Sequence, residues 1–358
     1  MTKILHCSDL HLDSKMESNL SRKQANQRRA EIRETFVRLI EYAQENDYSV
    51  VIIAGDLFDE SRCSLTTSES VLEAIREASE IDFLYLKGNH DERNALADID
   101  LPSNLKLFGS EWVSYDYADV RISGIEIDGT NFKTMYQSYS AKPGAKNVVV
   151  LHGQVSSQPG CIDVSISDLR GRGIDYLALG HLHSYQIGEL GGGGKYCYSG
   201  CLEGRGFDEC GKKGFVSIEI QGDKLVSEFV PFAKRTLHEL KVDVTGLYSY
   251  PEFEKALKVA VKGIPADDLV KFVLVGQCDP AANKDVQSLE KAIESSFFFI
   301  KISDMTTLKI DPSDYVNDVS LRGEFVRLVL ARDDISAETR DKILLSGLRA
   351  IAGEDIRL

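Results

Sequence analysis

Short apolar runs of strand length recur through the first two-thirds of the chain: Lys3–Cys7, Val50–Ala54, Phe83–Leu86, Val148–Leu151 and Tyr176–Leu179. Runs of four or five such residues, without strict alternation, suit strands buried on both faces. Between the first two, Ile32, Phe36, Leu39, Ile40 and Ala43 repeat at helical spacing, so Ser21–Glu45 is expected to be an amphipathic helix. Ser68–Glu80 has the pattern of a second helix. This βαβ rhythm implies an α/β layered core. From Asp116 to Ile127 the pattern is strand-like without long helices, and Lys195–Phe232 reads as Gly-rich hairpins after a flexible turn at Gly191–Gly194. Two sheets packed face to face, or one mixed sheet, fit this better than a purely parallel sheet.

The composition changes near Pro231–Arg235. Beyond it, Glu239–Val244 is strand-like, and Ser249-Tyr-Pro-Glu252 has the form of a capping box opening a helix. Leu269–Val275, Phe297–Ile302 and Thr307–Ile310 read as strands, with a helix over Lys284–Ser295. Two further helices are expected at Leu321–Ala331 and Ala337–Ala352, the second with Leu344, Leu348 and Ile351 on one stripe. The expected domains are therefore 1–232, a smaller α+β module at 233–312, and a helical segment at 313–358.

The 358 residues carry 42 Lys+Arg against 56 Asp+Glu, a net charge of −14. Residues 1–232 hold 24 basic and 35 acidic residues, and 233–358 hold 18 and 21, so neither part is basic. Binding of nucleic acid through global charge is excluded, and any polyanion site must be local. No apolar run approaches the ~20 residues of a membrane span. The start MTKILHCSDLH lacks a signal-peptide layout, and seven scattered cysteines do not form a disulfide framework. A cytoplasmic protein without membrane contact is expected.

Five of the seven histidines lie just beyond strand-like runs. Asp9 and His11 follow the first, Asp56 the second, Asn89 and His90 the third, His152 ends the fourth, and His181 and His183 follow the fifth. Open α/β sheets place their sites at such carboxyl ends. Asp, His and Asn without thiolate suit Mn, Fe, Mg or catalytic Zn. Seven ligands are too many for one small cation but suit two, which a carboxylate can bridge. Such a pair lowers the pKa of a bound water towards ~7 and stabilises charge on a phosphoryl group.

In order, these motifs are Asp9-Leu-His11, Gly55-Asp-Leu-Phe-Asp59, Gly88-Asn-His-Asp91, His152 and Gly180-His-Leu-His183. Over about residues 1–232 the chain resembles the calcineurin-like metallophosphoesterase superfamily. The resemblance implies a four-layer α/β/β/α sandwich with a smaller C-terminal α+β capping domain. It places Asp9, His11 and His183 on one metal, Asn89, His152 and His181 on the other, and Asp56 on both. His90 would face the leaving oxygen, oriented by Asp59. Ile4–Leu12, Gly55–Asp59 and Tyr198–Arg205 are similar to the SbcD-type DNA-repair exonuclease branch, although that branch often has Pro where Cys63 stands. That likeness implies a Mn-dependent exonuclease and endonuclease acting on DNA ends, single strands or hairpins, a homodimer, and an SbcC-type ATPase partner. Alternatives with the same site are a phosphodiesterase or phosphatase for nucleotides or phosphoproteins, and a non-catalytic scaffold.

Other residues read more plainly. His6 lies inside the first strand and is expected in the core; His238 is expected to be ordinary. Cys197, Cys201 and Cys210 lack a fourth partner for structural zinc. Arg22, Lys23, Arg28, Arg29 and Arg33 form a basic helix surface, from which Arg29 is a candidate DNA contact. Arg205, Lys212 and Lys213, on a loop after the histidine pair, are further candidates.

Overall fold

Val50–Ala54 shows how the first part of the chain is built, because its alternate residues serve two cores. Val50, Ile52 and Ala54 share an inter-sheet core with Val148, Val150, Tyr176 and Ala178. Val51 and Ile53 pack instead with Ile32, Phe36, Val71 and Ile75 on the helical side. The computed structural model describes residues 2–16, 20–59, 63–91, 96, 100–156, 164–279, 282–308, 315 and 317–351. The chain divides into two units, Met1–Thr236 and Leu237–Leu358.

The first unit begins with β1 (Lys3–Cys7), α1 (Arg22–Glu45), β2 (Val50–Ala54), α2 (Leu65–Glu77), β3 (Asp82–Leu86) and β4 (Leu105–Leu107). β5 (Val113–Asp116), β6 (Val120–Gly124), α3 (Met135–Ser138) and β7 (Lys146–His152) follow. Then come β8 (Val155–Ser156), β9 (Val164–Ser165), α4 (Ile166–Leu169), β10 (Tyr176–Gly180), β11 (Gln186–Gly191), β12 (Gly194–Tyr198), β13 (Gly214–Gln221) and β14 (Lys224–Pro231). They form two six-stranded sheets, β14-β13-β1-β2-β3-β4 and β11-β12-β10-β7-β6-β5. Both are mixed. β1 to β4 run parallel, as do β12, β10, β7 and β6, with antiparallel strands added at the flanks. The outer face of the second sheet (Val149, Leu151, Leu177, Leu179) packs on Met135, Tyr136 and Leu169. Among the described residues the helices of that layer, α3 and α4, have only four residues each. Asp128-Gly129 and Pro143-Gly144 are turn signals on either side of α3.

Caps set the helix starts. Ser21 and Gln24 form a reciprocal capping box at α1. α2 begins at Leu65, three residues before the expected start, because the Ser64 hydroxyl accepts the Thr67 N–H.

α1 also buries charge. Arg28, expected on the basic surface, is 1% exposed. Its guanidinium donates to Glu31 at 2.6 Å, Glu203 at 3.0 Å and the Gly204 carbonyl at 2.9 Å. Arg235 donates to both Glu31 oxygens at 2.9 and 2.7 Å. Thr35 and the Lys234 backbone N–H donate to Glu203. Two guanidinium groups thus balance two carboxylates, and pairing offsets a desolvation cost that would otherwise forbid their burial.

In the second unit, β15 (Leu237–Asp243), α5 (Tyr250–Ala260), β16 (Leu269–Val275), β17 (Gln277–Cys278), α6 (Val286–Ile293), β18 (Phe299–Asp304) and β19 (Thr307–Leu308) precede α7 (Leu321–Leu330) and α8 (Ala337–Ile351). β15, β16 and β18 pair in parallel in that order. Val242, Val270, Phe272 and Ile302 pack against Phe253 and Leu257 of α5 and Leu289 and Ile293 of α6. Strands and helices therefore alternate along the chain, in the order expected from the sequence. The Ser249–Glu252 capping box is present. α7 and α8, expected as a separate segment, fall within this unit and pack through Val326, Val329, Leu344 and Leu348. Ile351, the third residue of the expected stripe, is exposed. Residues 309–310 and 352, at the ends of two expected elements, lie outside the described residues. Among the described residues no helix is long and apolar enough to cross a membrane.

Arg28→Ala leaves Glu203 short of its main cationic partner and should cost about 3–5 kcal/mol of unfolding free energy in denaturant titrations. A loss below about 1 kcal/mol would show that the network contributes no more than a surface pair. Burial pushes the Glu31 carboxyl up, but its bonds from Arg235 and Arg28 prevail and bring it from 4.5 down to about 2. A depressed carboxylate stabilises fully above its unfolded value and loses that contribution as pH falls through the folded one. Wild-type stability should therefore fall more steeply between pH 4.5 and 2 than that of Glu31→Gln.

Candidate metal centre

The carboxyl ends of β1, β2 and β3 in one sheet and β7 and β10 in the other carry the candidate ligands. The backbone there is strained as well as close. Asp9 (φ 53°), His11 (46°), Asp56 (52°) and His181 (107°) all lie at positive φ, which non-glycine residues seldom adopt. Such conformations persist when their surroundings over-determine them, and they cluster at functional sites. Two glycines make the approach possible. A Cβ on Gly180 would overlap the Ala54 carbonyl oxygen, and one on Gly88 would overlap the Asp56 carboxylate.

The donors form overlapping sets. Asp9, His11 and His183 converge on one point, Asp9, Asp56 and His152 on another, and His11, Asp56 and His90 on a third. Asp56 Oδ2 lies 3.7 Å from His11 Nε2 and 3.4 Å from His152 Nε2, while Oδ1 accepts the His90 backbone N–H at 2.8 Å. One oxygen of Asp56 thus stands between the two halves of the cluster. Asn89 Oδ1 is 3.0 Å from His152 Nε2 and 3.2 Å from His181 Nδ1. His11 and His183 face each other through their Nε2 atoms at 3.2 Å. Buried carboxylates, imidazole nitrogens and an amide oxygen, with no thiolate among them, fit hard-to-borderline divalent cations. Among the described residues no candidate metal group includes a cysteine.

Electrostatics follow from burial. Asp9 and Asp56 are each 1% exposed. Burial lifts the Asp9 carboxyl, against the opposing pull of His152 and the Ser8 hydroxyl. Burial also acts upward on Asp56, but hydrogen bonding and charge from His152 and the charge of His11 bring it down to about 2. The His11 imidazole is pushed down to about 3 by burial, helped by the Arg205 charge. For His152, burial acts downward, but Asp56 and Asp9 raise it to about 9. Its Nδ1–H donates to the Ala54 carbonyl at 2.9 Å, which turns Nε2 towards Asp56 and Asn89.

The remaining candidates fall in varied surroundings, and the pairing expected for His90 is not among them. Among the described residues no hydrogen bond or ion pair joins Asp59 to His90. The His90 ring lies 4.9 Å from that of His11 at a steep angle. Arg205 and Lys213 are not free substrate contacts. Arg205 pairs with Glu209 at 2.7 Å, and the buried Lys213 ammonium donates to the His183 carbonyl at 2.5 Å. Lys212 is exposed. Arg29 donates to the Lys15 carbonyl and to Asn26 on the surface of α1. His6 is buried with Nδ1 3.0 Å from the Tyr176 hydroxyl, and His238 pairs with Asp268 at 2.9 Å.

Two carboxylates were missed. Asp91, the last residue of the Gly88 motif, accepts from the backbone N–H groups of Leu57, Phe58 and Gly88, joining the two turns that carry Asp56 and Asn89. Glu209 lies 2.7 Å from His183 Nδ1. Asp91 could have been found as the one charged motif residue without a role. Glu209 had no such signal, being 26 residues from its partner.

The family model described as calcineurin-like phosphoesterase matches residues 2–185. The chain is 26% identical over 295 residues to the uncharacterized metallophosphoesterase YhaO of Bacillus subtilis, covering 76% of this chain and 71% of that protein. It is 27% identical over 273 residues to the DNA double-strand break repair protein Mre11 of Sulfurisphaera tokodaii. That match covers 69% of this chain and 64% of the relative, so it spans less than two thirds of the archaeal protein. A dimetal phosphatase from Danio rerio is similar in structure, at a TM-score of 0.42 and 12% identity, over 63% of this chain and 95% of that one.

A His152 that holds its proton up to about pH 9 must release it to become a ligand. Metal affinity should therefore rise with pH up to that value. Calorimetric titrations with Mn²⁺ in buffers of different ionisation enthalpy should register net proton release at pH 7, and binding without proton release would contradict this.

Proposed function

The chain belongs to the calcineurin-like phosphoesterase family and is a metal-dependent phosphoesterase; from that premise we propose that it is a two-metal phosphodiesterase acting on DNA, an exonuclease and endonuclease of DNA repair. The observation that carries the two-metal reading is Asp56, whose single oxygen lies between His11 on one side and His152 on the other. In this reading Asp9, His11 and His183 would hold one ion, Asn89, His152 and His181 the second, and Asp56 would serve both. Two divalent ions, Mn being our choice, would supply Lewis-acid charge and lower the pKa of a bound water.

The protein's own groups do the rest. Asp56 is oriented by the His90 N–H, so the residue that aligns the bridging carboxylate also presents a ring beside it. Among the described residues no carboxylate pairs with that ring; on this reading His90 itself would give a proton to the departing 3′ oxygen. The DNA reading is supported by the 27% identity to an archaeal Mre11 and by the Tyr198–Arg205 segment. On the same reading the substrates would be DNA ends, single strands or hairpins, the second unit would serve as a capping domain, and the partners would be a second copy of the chain and an SbcC-type ATPase.

Linear duplex DNA labelled at its 3′ ends, incubated with Mn²⁺ beside a chromogenic phosphodiester, tests this. Mononucleotide release from the duplex is expected. His90→Ala should lower it about 10²–10⁴-fold while metal content, read by elemental analysis, stays the same. Hydrolysis of the small diester alone would move the substrate to nucleotides. Turnover of neither substrate, with ions bound, would favour a scaffold. Asp56→Asn should deplete both ions, and a variant with two full sites would count against bridging.

A further inference from the structure

We propose that Glu209 is the positioning residue for His183: it accepts the Nδ1–H and so fixes the imidazole with its Nε2 lone pair turned towards Asp9 and His11. The inference rests on the reading that His183 is a metal ligand. His183 Nδ1 lies 2.7 Å from Glu209 Oε1, and Nε2 is 3.2 Å from His11 Nε2 and 3.9 Å from Asp9 Oδ1. An imidazole in this pose serves a cation only in one neutral tautomer, with the proton on Nδ1. A carboxylate behind the ring selects that tautomer and makes the opposite nitrogen more basic.

The support is built on several sides. Glu209 Oε2 accepts the Arg205 backbone N–H at 2.7 Å and is 3.7 Å from the Cys201 thiol, while Oε1 also accepts from Arg205 Nη2 at 2.7 Å. The backbone of His183 is held as firmly as the ring, since its carbonyl accepts from Lys213 at 2.5 Å and from Cys201 at 3.4 Å. One competitor exists. Arg205 Nη2 lies 3.1 Å from the same Nδ1, and donation there would force the proton onto Nε2, facing the ligand set. The shorter contact to a carboxylate favours the Nδ1–H form. The other ligand histidine whose rear bond is resolved, His152, uses a backbone carbonyl instead.

The competition can be read in metal-free wild-type protein by nitrogen-15 NMR of labelled histidine, with His183→Gln to assign the signal. A proton on Nδ1 is expected, and a ring protonated on Nε2 alone would overturn the proposal without any variant having to fold. Calorimetric Mn²⁺ titrations then compare wild type, Glu209→Ala and the shape-conserving Glu209→Gln. Glu209→Ala should weaken one of the two ions roughly 10–100-fold and leave the other, with Glu209→Gln in between. Wild-type affinity at both sites in Glu209→Ala would overturn the proposal. His183→Ala separates this from the parent reading: if that variant also binds two ions as wild type does, His183 is not a ligand and both claims fall.

Discussion

Burial of Asp9 and Asp56 at the junction of two sheets is the constraint on which the rest depends. A lone carboxylate buried to 1% exposure costs several kcal/mol even after relaxation. Here the cost is met locally and in unequal ways. Asp56 is held by imidazoles and the His90 N–H, while Asp9 takes the His181 N–H on both oxygens and the Ser8 hydroxyl at 2.5 Å. These donors come from both sheets. The inter-sheet core of Ile52, Ala54, Val150 and Ala178 therefore sets the spacing of the site, because it fixes how closely the strand ends approach.

That approach leaves the backbone little choice. Four ligand candidates adopt positive φ, at about 1–3 kcal/mol each for a non-glycine residue. The strain sits directly after strands whose residues are almost wholly buried, which is where a rigid scaffold can sustain it. Asp91 serves the same end from below. By accepting three backbone N–H groups it ties the turn after β2 to the turn after β3, and Asp56 and Asn89 then move as one body.

Much of this was legible in the chain because two independent signals coincided. A fully apolar run such as Val50–Ala54 announces a central strand, and an Asp or His immediately after it announces a strand-end site. Elements decided by packing were readable for the same reason, as Leu269–Val275 was to the residue. What was not legible depended on partners distant in sequence. Asp59 sits in a motif that suggested a bond to His90, yet among the described residues no hydrogen bond or ion pair joins the two. Arg28 lies among surface-like basic residues, but its turn of α1 faces Glu203, 175 positions away. Glu209 and Lys213 likewise acquire their roles only when their loop folds back on His183. Helix starts were displaced by a hydroxyl or carboxylate cap, as at Ser64 and Asp285, a choice made by one hydrogen bond.

The same three cations bear on how an acidic protein could hold an anionic substrate. Arg205 is spent on Glu209, Lys213 on the His183 carbonyl and Arg28 on two buried glutamates. Arg205 and Lys213 hold the scaffold around His183, Arg28 holds α1 to Glu203, and the two guanidinium groups are paired with carboxylates. With a net charge of −14 around them, neutralisation of a phosphoester would then fall chiefly to ions held by the ligand set. Metal loading would thus do more than activate water: it would reverse the sign of the site, so that affinity for substrate and capacity for chemistry arise together.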